Sequence, residues 1–173
     1  MEYLVGETIM KYDERVGTFK VFSSEELYGK KEIELAYTLC GSESDELLEQ
    51  LAFVRNHYQS MYYTVLKNLL LAYKNNPKWD IWNEETHTFS RLDLQKERDV
   101  HKYIGEPTVE IMRHEKKILT GLSFYKKNKM SIEHGFCAIF DKDDLLLIGD
   151  DDFYNILRYW DYYSNINILT SNL

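Results

Sequence analysis

Between Leu47 and Tyr73 the apolar residues return every three or four positions, through Leu47, Leu51, Val54, Tyr58, Met61, Tyr62, Val65, Leu69 and Ala72. Only a helix puts that spacing on one face, and a stripe of this length needs a wide apolar surface to cover it. The segments on either side change to a period of two. In Glu32 to Leu39, Ile33, Leu35, Tyr37 and Leu39 fall on one side of an extended chain. A chain that switches from period two to 3.6 and back is neither all-helical nor all-β. The expected class is α+β: N-terminal antiparallel strands, a central helical segment, a C-terminal antiparallel β-meander and a short terminal helix.

Local signals place the boundaries. Ser42 or Ser44 is a candidate cap for the helical segment, and Glu43, Asp45 and Glu46 suit its positive end. Asn75-Asn76-Pro77 stops it. Globular helices average about a dozen residues, so two helices with a break near Asn56 to Ser60 are expected. Leu47, Leu51, Val54, Val65 and Leu69 are predicted to be largely buried. Glu2 to Tyr12, Gly17 to Phe22 and Glu32 to Leu39 read as three antiparallel strands, with Ser23 to Lys31 a loop. Lys78 to Glu106 reads as a polar loop or short irregular helix that Trp79, Ile81 and Trp82 could anchor. Thr108 to Met112, Ile118 to Tyr125, His134 to Phe140 and Leu145 to Ile148 read as the meander. Phe153 to Tyr163 reads as one helix with Phe153, Ile156, Leu157 and Trp160 on its inner face. No Gly/Ser-rich linker and no internal repeat divides the chain, so residues 1–173 are read as a single domain.

Charge narrows the partners. Lys and Arg number 21 against 29 Asp and Glu, a formal charge of −8 that repels phosphate backbones. Nucleic acid and anionic membranes are therefore not expected, whereas a basic protein partner is compatible. Two Pro and eight Gly argue against a collagenous or low-complexity chain. Cys40 and Cys137 sit in hydrophobic surroundings and read as a reduced pair of core thiols. The start, Met1 to Glu7, lacks a basic segment followed by an apolar one, and no apolar stretch approaches the ~20 residues of a bilayer span. A cytoplasmic location is expected.

Signatures of catalysis are sparse. The chain has no G-x-S-x-G, no Walker loop, no G-x-G-x-x-G and no H-E-x-x-H. The sharpest local feature is Glu133-His134-Gly135. Neighbours in a strand point to opposite faces, so Glu133 does not orient His134, and His134 reads as a structural group that starts the hairpin through a hydrogen bond. Asp141, Asp143 and Asp144 on one side of a strand and Asp150 to Asp152 on the other lack the Ca²⁺-loop pattern and read as turn and cap residues. No cofactor and no metal is expected. Exposed Trp and Tyr suit interfaces, so Trp79, Trp82, Trp160, Tyr162 and Tyr163 are the candidate binding residues.

Three segments together resemble a known arrangement: Thr120-Gly121-Leu122-Ser123-Phe124, then Glu133-His134-Gly135-Phe136, then Leu145 to Asp150. They are similar to a group of uncharacterised bacterial α+β domains with a C-terminal Glu-His-Gly β-meander. Those domains in turn resemble the immunity partners of secreted toxins. Where that group often carries Trp before Glu-His-Gly, this chain has Met130 and Ile132. The resemblance implies a single α+β domain that acts by binding a toxin-like protein and not by catalysis, and the charge of −8 makes that partner a basic one. Association with a second copy stays open. The alternative is a small hydrolase or metal-dependent enzyme using His134 and acidic residues.

Overall fold

A mixed six-stranded sheet carries the long helix on one face and two short helices on the other. The computed structural model describes residues 2–5, 8–11, 14–41, 45–83, 85–130 and 135–166. In chain order the elements are β1 (Glu2–Val5), β2 (Thr8–Lys11), β3 (Glu14–Phe22), α1 (Glu25–Tyr28), β4 (Glu32–Cys40), α2 (Asp45–Asn75), β5 (Ile81–Asn83) and β6 (Thr88–Ser90). There follow α3 (Glu97–Ile104), β7 (Thr108–His114), β8 (Lys117–Phe124), β9 (Phe136–Asp141), β10 (Asp144–Gly149), α4 (Phe153–Arg158) and α5 (Trp160–Asn165). The class is the α+β one expected. The sheet order is β10-β9-β8-β7-β4-β3, while β1 and β2 pair in a small sheet of their own. Every neighbour in the large sheet is antiparallel except β4 and β7, which run parallel from Tyr37↔Val109 to Cys40↔Met112. β3, β4 and the meander are thus one sheet, joined by a crossover that contains α2, the β5–β6 hairpin and α3.

The expected break in the central helix is absent. α2 is continuous over 31 residues, about 46 Å at 1.5 Å per residue. Asn56, Gln59 and Ser60 are polar because they face water, not because the helix stops. Within that stretch the His57 ring stacks on Phe53 one turn earlier, and Ser60 and Thr64 hydroxyls donate to the carbonyls of His57 and Ser60. The inner face buries Leu47, Val54, Tyr58, Met61, Tyr62, Val65, Leu66, Leu69 and Tyr73 against Val21, Ile33, Leu35, Val109, Ile111, Leu122, Phe124 and Phe136. Each such side chain contributes about 1.5–3 kcal/mol of hydrophobic stabilisation. Leu51 departs from its expectation, since it is only half-buried at the margin of this core. Leu51→Ala is therefore expected to cost about 1–2 kcal/mol, less than a fully buried leucine does, in urea unfolding. A loss above about 3 kcal/mol would show that its margin position is wrong.

The least readable stretch is ordered by a few strong contacts. Arg91 lies over the Tyr73 ring at 3.8 Å and donates to the Tyr73 and Trp79 carbonyls, capping the negative end of α2. Trp79 donates its indole N–H to the Met130 carbonyl at 3.0 Å, and Ile81 is fully buried. Ser23 to Lys31, expected as a loop, holds the single-turn α1, whose Tyr28 hydroxyl meets that of Tyr58 at 2.9 Å. The Tyr62 hydroxyl contacts His101 Nδ1 at 2.8 Å and donates to the Gly105 carbonyl, tying α2 to α3. Burial pushes all three phenols up, Tyr28 to about 12, and holds the His101 imidazole below its ordinary value.

β8, β9 and β10 are covered on both faces, so Phe136 to Phe140 is buried without alternation. The second face packs Cys40, Met112, Leu119, Cys137, Ile139 and Leu147 under Phe153, Ile156, Leu157 and Tyr163. Both cysteines are free and buried. Gly121 lets α4 approach, since a Cβ there would meet Phe153 Cδ2 at 2.6 Å. Gly135 holds φ +69°, and a Cβ on it would lie 2.5 Å from the Phe124 carbonyl oxygen, so the residue before β9 has to be glycine. Glu133 and His134, and with them the expected structural role of His134, lie outside the described residues, as does the proposed cap at Ser42 or Ser44. Among the described residues no helix is long and apolar enough to cross a membrane.

Candidate binding face on the C-terminal helices

α4 begins where the sequence signals a cap. The Asp152 side chain accepts from the Asn155 backbone N–H at 2.8 Å, and Asp151 accepts from the Asn155 side chain and from the Tyr163 hydroxyl. The expected single helix from Phe153 to Tyr163 is in fact two. The chain leaves helical geometry at Tyr159, with φ −113° and ψ 41°, and restarts at Trp160. That one-residue offset rotates the aromatics that follow. Tyr163, a candidate binding residue, turns inward and is 8% exposed in the second core. Trp160, expected on the inner face, moves to its edge and is half-buried. Tyr159 and Tyr162 are left outside at 51% and 61% exposure.

Trp160 forms one wall of a cleft of about 830 Å³. Its floor is Leu119 and Leu146, and the β7–β8 turn supplies His114, Glu115, Lys116 and Lys117 opposite. The His114 and Trp160 rings are 5.9 Å apart. Tyr162 packs edge-on to Tyr163 at 5.2 Å, which fixes an exposed ring on a buried one. Asp150 and Asp161 are exposed beside these rings. The face is an aromatic patch whose margin carries both signs, Arg158 lying 5.2 Å over the Tyr159 ring, on helices anchored by four buried side chains.

The other candidate residues do not join it. Trp79 is half-buried and committed to the Met130 carbonyl. Trp82 lies on the β5–β6 hairpin, 5.0 Å from Phe89. Phe89, at 58% exposure, is an exposed aromatic that sequence reasoning passed over, as is Tyr159. The alternation of Thr88-Phe89-Ser90 is the signal that could have found the first. For the second the signal is absent, because nothing in the sequence marks a helix restart at Tyr159.

A half-buried carboxyl lies on the sheet face that α4 covers. Glu110 on β7 faces the second core and takes a hydrogen bond from Ser123, which also lies 3.1 Å from Cys137 Sγ. Burial pushes the Glu110 carboxyl up to about 7, with the Asp152 and Glu14 carboxylates adding to the effect. Burial pushes the Cys40 thiol up to about 11 and that of Cys137 well above its ordinary value, so neither is a thiolate nucleophile near neutral pH. Among the described residues no group of three or more His, Cys, Asp and Glu is placed to hold a metal ion. Searches for similar proteins find no family model, no curated protein and no solved structure that matches this chain.

Proposed function

We propose that the chain is a non-enzymatic binding protein of the immunity type, which presents the α5 face to a basic, toxin-like protein. The observation that carries this reading is the pair of exposed rings, Tyr159 and Tyr162, held next to the Trp160 cleft on a platform that is itself packed into the core. Rigid aromatics of this kind lose little conformational entropy on binding, and Tyr and Trp supply the largest single contributions at interfaces. The charge of −8 favours a cationic partner at long range. Steering by that charge raises the association rate and fades with salt.

The test is to recover partners on the immobilised chain, identify a retained basic protein and measure its Kd. Tyr162→Ala is expected to weaken that Kd at least about tenfold, while Phe89→Ala, an exposed aromatic on another element, leaves it within about twofold. The association rate is expected to fall as salt rises. Equal effects of the two variants, or a rate indifferent to salt, would sink the proposal.

A further inference from the structure

We propose that protonation of Glu110 controls how firmly α4 and α5 dock on the sheet, and so gates the face that α5 presents. The gating clause rests on the binding reading above; the docking clause stands without it. Glu110 is directly opposite Gly121 in the β7–β8 ladder, and the Phe153 ring of α4 lies on Gly121. The half-buried Glu110 side chain thus shares its face of the sheet with Phe153, and undocking α4 would expose it further.

Among the described residues, the titratable groups found acting on Glu110 come from α4, β3, β4, β9 and the chain after β8, and none of those is a cation. β9 contributes the Cys137 thiol, and the chain after β8 contributes the Tyr125 phenol. α4 contributes its cap Asp152 and the Tyr154 phenol. β3 contributes Glu14, and β4 contributes Cys40. Tyr154 spans this ring, touching Cys40 Sγ and donating to Glu14 at 3.2 Å. A neutral Glu110 suits such a site. The Ser123 hydroxyl donates to its Oε2, and Ser123 Oγ lies 3.1 Å from Cys137 Sγ. Loss of the Glu110 proton to solvent sets a full negative charge against Asp152 and Glu14. Releasing α4 takes Asp152 away from that charge and opens the carboxyl to water.

The direction follows from linkage. The docked carboxyl titrates at about 7. The undocked one titrates near the ordinary 4.5. Docking is thus favoured in acid and weakens as pH rises, with the change complete just above pH 7. Between pH 6 and pH 8 the opening equilibrium should grow about tenfold. The experiment is amide hydrogen exchange on the free protein at these two pH values, corrected for intrinsic rates, in wild type and Glu110→Gln. Protection of the α4 and α5 amides is expected to fall about tenfold more in wild type than in Glu110→Gln, with the α2 amides of Val65 and Leu66 as the reference for global opening. Comparing the two proteins cancels any contribution from His114, which lies against Trp160. Asp152→Asn, which keeps a capping side chain, is expected to shrink the wild-type effect. An equal pH effect in wild type and Glu110→Gln, or an equal loss of protection at Val65 and Leu66, would overturn the proposal. No partner is present in this experiment, so its failure leaves the binding reading intact. Failure of the Tyr162 test leaves this one intact.

Discussion

Phe124→Ala is expected to lose about 3–5 kcal/mol of stability, a third or more of what a domain of this size usually has. Phe124 ends β8, is fully buried, and stacks on Phe136 of β9 with ring centroids 4.8 Å apart. Its ring also lies 6.1 Å from Tyr62, so it joins the meander to α2. Its neighbours cannot collapse into the space. Phe136 is held by its ladder pairing with residue 124, Gly135 is pressed against the 124 carbonyl, and Tyr62 is committed to Gly105. A cavity that the surroundings cannot fill lies at the costly end of large-to-small substitutions. The measurement is the urea midpoint at constant m-value. A loss below about 1 kcal/mol would mean that the two elements are not joined there.

What the sequence displays well is which side of each segment faces the core; what it displays poorly is which segments meet. The alternation of Ile33, Leu35 and Leu39 marks one face of β4, and the 3.6 period marks the face of α2. Neither states that β4 lies parallel to β7 across the whole crossover. Period reports local burial, and a strand paired with a distant neighbour shows the same alternation as one paired in a hairpin. The helix break at Asn56 to Ser60 is an error of the same kind. An average helix length says nothing of what lies across from a helix, whereas Tyr58 and Met61 carry the inner stripe straight through that stretch.

At the candidate site the aromatic cluster of Trp160, Tyr162 and Tyr163 is visible in the sequence, but its division into inside and outside is not. That division depends on the backbone of one residue, Tyr159, which has neither glycine nor proline to announce it. Glu110 is hidden for a different reason. In Thr108-Val109-Glu110-Ile111 it occupies the polar position of an alternating strand, where a carboxylate normally meets water. Only the arrival of Phe153 over Gly121, contributed by a segment far along the chain, covers part of that position.

Glu110→Gln is expected to raise stability by about 2–3 kcal/mol at pH 8.5 and to change it little near pH 4. The sign is fixed by the folded carboxyl lying above its unfolded value, about 7 against 4.5. For such a group the stabilisation is fully present below the unfolded value, declines as pH rises, and is gone once pH passes the folded value. Each unit of difference is worth about 1.4 kcal/mol, so 2–3 kcal/mol allows for the part of Glu110 that water still reaches. Glutamine keeps an oxygen for the Ser123 hydroxyl and has no proton to lose, so it mimics the neutral form at every pH. His101 acts in the opposite sense. Burial lowers its value, so it weakens the fold as pH falls below about 6.5, in both proteins alike. Subtracting the two stability curves removes it. The expected difference curve is flat and near zero in acid, rises between pH 4.5 and about 7, and is flat again above. A difference that is constant across this range would show that Glu110 is ionised in the folded protein, and would remove the basis for α4 docking that depends on its proton.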